Sequence, residues 1–483
     1  MKQHIPGKPG VHCLIVPLVL IAAYSITGIT PAFAAESATT GTSISAQNLA
    51  QQSALPSLTG SDGGDTLAPP TGMLDINRAV QRAVRWHPDI GAEVGKLFAE
   101  AEKVNIAEAK YYPQVNGGFD SGITNSYSDH GYSPSLVLSL SQMLYDFGKV
   151  ASSVREANAA VAQQQANVLV SIDMVAHDAA AALVQVQGYQ QLVDISRQQL
   201  EALNHIAGLA NMRNSEGASS RSDVVQTQTR IEGAQATLTQ YQASLDRWRA
   251  SLATWLGWQS VGDISNDFPS GLLNACQTDK VDDRLVPSVL AAWAQANQAS
   301  AQLDNANAQM LPTISLEPEV THYLNNRYAN SRTLDRTQYS AWVRVKMPLY
   351  QGGGLSASRD AARHSLEAAS AGVKSAQLKA RQQLHEARDE ATGLQQALQI
   401  QRRQRSLGEE TRELYQMQYL ELGSRPLLDV LNVEQEIYQT RFTLQQTETR
   451  LRTLQLDCLY NTGRMRTAFA LDRHAIQGVE VQP

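Results

Sequence analysis

The chain has 483 residues, enough for two or three ordinary domains or one elongated one, and is 43% hydrophobic but only 6% aromatic. A net charge of -6 argues against nucleic acid as the partner, because phosphate neutralisation needs clustered Lys and Arg. Ala, Gln, Leu, Ser and Arg crowd long stretches, the composition of long helices with few breakers.

Residues 1–34 read as an export signal: Lys2 and Lys8, an apolar Val11–Ile29, then small residues around a cleavage point at Ala32-Phe33-Ala34. A retained anchor is the competing reading. Pro17, Tyr24, Ser25, Thr27 and Gly28 interrupt the apolar stretch and polar residues follow at once, which favours cleavage. No other window offers the ~18 consecutive apolar residues of a spanning helix, so any passage through a membrane is expected to be made by strands. Residues 35–72 are rich in Ser, Thr, Gly, Ala and Gln and read as a flexible polar leader. Ala35-Glu36-Ser37 holds no Cys for lipid attachment. With Cys13 removed, Cys276 and Cys458 are too few for a disulfide framework, and Cys458 reads first as a small apolar core residue. Whether the two pair is left open.

From residue 73 the chain repeats itself. Pro88 and Pro113 recur as Pro287 and Pro312, 199 residues on; Tyr145, Gly217, Asp223 and Gly257 recur as Tyr350, Gly423, Asp429 and Gly463, 205 or 206 residues on. One change of register implies one loop longer by about six residues in the second copy. The boundaries read as 73–262 for the first repeat, 263–280 for a linker, 281–465 for the second repeat and 466–483 for a C-terminal tail. Each copy reads as helix, strand, strand, long helix, shorter helix.

The strands show two-residue alternation. In 114–124, Val115, Phe119 and Ile123 oppose Gln114, Asn116, Asp120 and Thr124. In 135–142, Leu136, Leu138 and Leu140 oppose Ser135, Ser139 and Ser141. In 313–321, Ile314, Leu316 and Val320 oppose Thr313, Ser315, Glu317, Glu319 and Thr321. In 339–349, Tyr339, Ala341, Val343, Val345, Met347 and Leu349 alternate with Ser340, Arg344 and Lys346. This fits a membrane strand, apolar to lipid and polar to a lumen, and fits a half-buried soluble hairpin alike. Four strands cannot close a pore, whereas three copies supply twelve.

Residues 148–214 and 355–422 contain no Pro, and each would run about 100 Å as one helix. Arms that long serve reach. The shorter helices carry heptad seams: Val224, Ile231, Leu238, Leu245 and Leu252, then Val430, Ile437, Leu444, Leu451 and Cys458. Ala234, Tyr241, Trp248 and Trp255 fill the companion positions as core. No catalytic or metal-ligand constellation is visible, so neither an enzyme nor a cofactor is expected. Gly352-Gly353-Gly354 lacks the Lys-Ser or Lys-Thr of a phosphate loop and reads as a tight strand-to-helix corner. His177, His205, His364 and His385 are scattered along helices and read as solvated.

These pieces resemble the TolC family over nearly all of 73–465. The resemblance is carried by Leu74, Ala79 and His87-Pro88, by the Tyr112-Pro113 and Leu311-Pro312 strand openings, and by the Tyr145-Asp146-Phe147-Gly148 and Leu349–Gly353 corners. Its sharpest element is Gly423-Ser424-Arg425-Pro426-Leu427-Leu428-Asp429-Val430-Leu431. The resemblance implies a non-enzymatic homotrimer with a twelve-stranded outer-membrane β-barrel, four strands per chain, continued by a periplasmic α-helical coiled-coil barrel. It also implies a periplasmic adaptor protein and an inner-membrane ABC or proton-driven transporter as partners, and outer-membrane lipid around the barrel. By match to the family's tip, Asp223, Arg425 and Asp429 are expected at the periplasmic entrance, with Tyr419 one residue out of register. Asn432 stands where the family can carry a second Asp. Arg344 and Lys346 are expected in the lumen. Plain helix capping by Ser222 and Asp223, and a solvated Arg425, are the competing readings. The missing lipidation site leans toward the type I secretion-like branch, and the cargo, secreted protein or drug and solute, stays open. The rival of another class is a soluble periplasmic coiled-coil scaffold or adaptor with no pore.

Overall fold

Two helices open the computed structural model, which describes residues 72–124, 131–277, 282, 285–324, 335–472 and 475–481; the expected signal and the leader up to residue 71 lie outside the described residues. α1 (Ile76–Trp86) starts at Asp75, whose carboxylate accepts from the Arg78 amide at 2.8 Å. It buries Ile76, Ala79, Val80, Ala83 and Val84, one apolar stripe at helical spacing. α2 (Pro88–Glu108) has Pro88 in its first turn, where the missing N–H is not needed.

β1 (Gln114–Thr124) and β2 (Gly131–Tyr145) follow, then α3 (Lys149–Ser215, 67 residues) and α4 (Arg221–Leu256). The same order recurs with α5 (Pro287–Ala308), β3 (Thr313–Tyr323), β4 (Thr337–Lys346), α6 (Gly354–Leu420, again 67 residues) and α7 (Leu427–Asn461). A short α8 (Met465–Ala468) and a hairpin of β5 (Ala475–Ile476) with β6 (Val479–Glu480) come last.

The four long strands form one antiparallel meander, β1-β2-β3-β4, so the pairing of β2 with β3 joins the two halves of the chain. β1 and β4 are its free edges. Left-handed glycines, Gly148 at φ 93° and Gly353 at φ 82°, turn the chain out of β2 and β4 into α3 and α6. At the first corner Asp146 also accepts from the amides of Gly148 at 2.9 Å and Val150 at 2.6 Å, capping α3.

At 67 residues, α3 and α6 each run about 100 Å. α3 is the hub: it packs on α1, α2, α4, α5 and α7, whereas α6 packs on α5 and α7. Small residues let α3 be shared so widely; Ala176, Ala179 and Ala180 are fully buried, and a Cβ at Gly188 would overlap Thr449 of α7. By length and composition a stretch of α3 could cross a membrane, an exception to the sequence reading. Most of it is buried inside the chain, which makes it core.

Several expectations change here. Cys276 and Cys458 form a disulfide, pinning the segment after α4 to α7; the Arg388 Nε donates to the Cys276 carbonyl at 3.2 Å and adds α6 to the same knot. Two cysteines 182 residues apart make no framework, and Cys458 reads first as an apolar core residue, so the sequence leaves this pairing open. The region read as a linker also carries the buried Ile264, Leu272 and Ala275. The C-terminal segment is packed, with Phe469, Leu471, Ile476 and Val481 buried in the main core. His177 is not solvated. It lies between Asp178 at 2.9 Å and Asp457 at 2.8 Å, while His205, His364 and His385 are exposed.

Candidate functional site: a two-faced sheet and a helical tip

The register sorts the sheet into two faces, because residues directly opposite share a face. Val115, Phe119, Leu136, Leu138 and Leu140 lie on one face with Ile314, Leu316, Val320, Tyr339, Val343 and Val345. Gln114, Asn116, Asp120, Ser135, Ser139, Thr313, Ser315, Glu317, Glu319, Ser340, Arg344 and Lys346 lie on the other. Among the described residues no element covers the apolar face: Phe119, Leu138, Val343 and Val345 are each more than half exposed. An uncovered apolar face of this kind marks a surface that meets lipid or a partner. On the polar face Arg344 and Lys346 share Glu317, Arg344 at 2.7 Å and Lys346 at 3.6 Å.

Exposed aromatic rings gather at both ends of the sheet. Tyr111, Tyr112, Tyr145, Phe147 and Tyr350 mark the end that leads into the helices, and Tyr132 and Tyr339 lie toward the other end. Rings with one apolar and one polar side settle where hydrocarbon meets headgroups. Ten residues at ~3.4 Å each, tilted by ~40°, rise about 25 Å, the thickness of an apolar band in an outer-membrane barrel.

The opposite ends of the arms carry the expected entrance residues. Asp223 belongs to a capping box at the start of α4. Its amide bonds the Ser220 hydroxyl, and its carboxylate accepts from Ser219 at 2.7 Å and from the Ser220 amide at 3.2 Å. The Ser219 hydrogen bond, helped by those from Ser220, outweighs burial and holds the carboxyl below its ordinary range. Arg425 donates to Gln418 and to Asp429, both at 2.9 Å, and its guanidinium stacks 4.1 Å over the Tyr415 ring. Within one chain Arg425 is thus held by its own tip and does not reach Asp223.

Tyr419 is buried among Leu203, Ile206, Ala210 and Leu431, where α3 meets α6 and α7. Burial pushes its phenol up, and Arg213 lies 4.7 Å over its ring while donating to its carbonyl at 3.2 Å. Asn432 accepts from Arg230 of α4 at 3.2 Å. Arg213 and Arg230 therefore tie the first tip to the second, and neither lies in the motif that singled out the other tip residues. Glu434, half a turn beyond Asn432, is 2% exposed, and burial raises its carboxyl despite Arg412 and Arg441 nearby. Its helical phase with Val430 and Ile437 is the one hint the sequence offered.

The profile of the family described as "Outer membrane efflux protein" matches this chain twice, over residues 79–258 and 285–457. Outer membrane efflux protein BepC of Brucella suis biovar 1 is 24% identical over 84% of this chain and 88% of its own length. Nodulation protein T of Rhizobium leguminosarum bv. viciae is 25% identical over 77% of this chain and 76% of its own. The fold is similar to that of the outer membrane protein VceC from Vibrio cholerae, with a TM-score of 0.70 at 18% identity over 80% of this chain and 96% of that one. The chain belongs to the outer membrane efflux protein family, which places it in the outer membrane and in efflux.

Proposed function

We propose that three copies of this chain close into a twelve-stranded barrel continued by a helical tunnel, and that this duct passes cargo from an inner-membrane transporter, through a periplasmic adaptor, to the outside. The observation that carries the reading is the sheet: two unpaired edges, one exposed apolar face and one charged polar face in the same four strands. Edge pairing between copies satisfies the edges and turns the apolar wall toward lipid. The twofold match to one family profile supports a duplicated plan, in which each copy supplies two strands and one pair of coiled helices. The duct has no chemistry to perform; its work is to open and close.

Opening belongs to the tips. Because Arg425 is held by Asp429 and Gln418 of its own chain, an Asp223–Arg425 link is one made between neighbouring copies. Asp429 then gives one ring of three carboxylates, and Asn432 leaves out a second. Single-channel recording in planar bilayers tests the reading: the purified protein conducts weakly, and Arg425→Ala conducts more. A protein that never conducts refutes the duct, and an unchanged Arg425→Ala places the lock elsewhere.

A further inference from the structure

One large ring on the polar face of the sheet is used by neither the core nor the lipid-facing wall. Trp342 is in phase with Ser340, Arg344 and Lys346, directly opposite Glu317, and is 62% exposed. Its companions on β3 are Ser315, Glu317 and Glu319, none of which offers apolar cover. The free edge of β4 would meet β1 of a second copy. Whatever the register, β1 presents Gln114, Asn116, Gly118 and Asp120 on this face, again with nothing to bury an indole. The ring also lies on the opposite face from Tyr132 and Tyr339, so it is not one of the interfacial aromatics.

The charges around it are unevenly matched. Arg344 and Lys346 are both drawn to Glu317, at 2.7 and 3.6 Å. Glu319 lies diagonal to Trp342, opposite Ser340, and accepts from Thr321 at 3.3 Å; among the described residues no cation lies within ion-pair distance of it. An indole face attracts cations through its quadrupole, and an uncompensated carboxylate roughly 7–8 Å away adds to that attraction. Resting on the barrel reading above, we propose that Trp342 and Glu319 form a weak binding site for planar organic cations on the lumen wall.

The test is equilibrium binding of ethidium to the detergent-solubilised trimer, read by fluorescence anisotropy, with a naphthalene sulfonate as the anionic control. Trp342→Ala is expected to weaken ethidium binding about tenfold, Trp342→Phe less, and Glu319→Gln by a factor of a few. Equal ethidium affinity in wild type and Trp342→Ala, or equally tight binding of the sulfonate, overturns the site. Retention of a heat-modifiable trimer by each variant excludes misfolding as the cause. A conducting trimer whose ethidium binding ignores Trp342 sinks the site alone; a wild-type chain that neither trimerises nor conducts sinks the barrel reading and the site with it.

Discussion

His177 shows how a single residue on an arm departs from the solvated face its position suggested. Burial works to neutralise its ring, but hydrogen bonds to Asp178 and Asp457 win and raise its pKa from 6.5 to about 9. One turn away, Asp173 is fully buried beside Arg466 at 3.2 Å. Burial raises its pKa to about 7, with Arg466 opposing and Asp472 adding to the shift. Both pKa values are raised on folding, so both groups contribute stability at low pH that is lost as pH rises through the folded values. For His177 the window runs from 6.5 to about 9. His177→Gln is therefore expected to flatten the fall in thermal midpoint across that window, an effect of roughly 3 kcal/mol at most; a slope identical to wild type would contradict the assignment. At the tip, Asn432→Asp adds a carboxylate to each copy, and cation block of single-channel current is expected to strengthen. The gain is smaller than that of a free carboxylate ring, because Arg230 already faces this position at 3.2 Å. Unchanged block would rule out a cation site at this level.

The arms and strands were legible in the sequence because each has a signature: long Pro-free stretches for α3 and α6, heptads for α4 and α7, and two-residue alternation for the sheet. What stayed hidden lacks a period. Trp342 falls in the polar phase of β4, but an aromatic there breaks the pattern by which the strand was read. The tip contacts of Arg213 with Tyr419 and of Arg230 with Asn432 join residues about two hundred positions apart, beyond the reach of local patterning. The same holds for Cys276 and Cys458. That bridge ties an irregular segment to α7, and its removal frees the unfolded chain across 182 residues. Replacing both cysteines with Ser is expected to remove about 3 kcal/mol of stability, seen as a lower midpoint of helix unfolding by circular dichroism. An unchanged midpoint would show that the Arg388 and Gln455 contacts of the Cys276 backbone suffice without it.

On the scale of the whole molecule, the chain is unfinished by itself. The sheet ends in two bare edges and shows its apolar face to the outside. Along α6, Ile400, Leu407 and Leu414 repeat at seven-residue spacing and are each at least half exposed, a seam that no element among the described residues covers. Both features fit the proposed assembly, in which three copies supply the strand count of a pore. The stoichiometry of the particle extracted from outer membranes tests this most directly. Native mass spectrometry in detergent should give three chains per particle, collapsing to one on boiling. A water-soluble particle of a single chain would contradict the account.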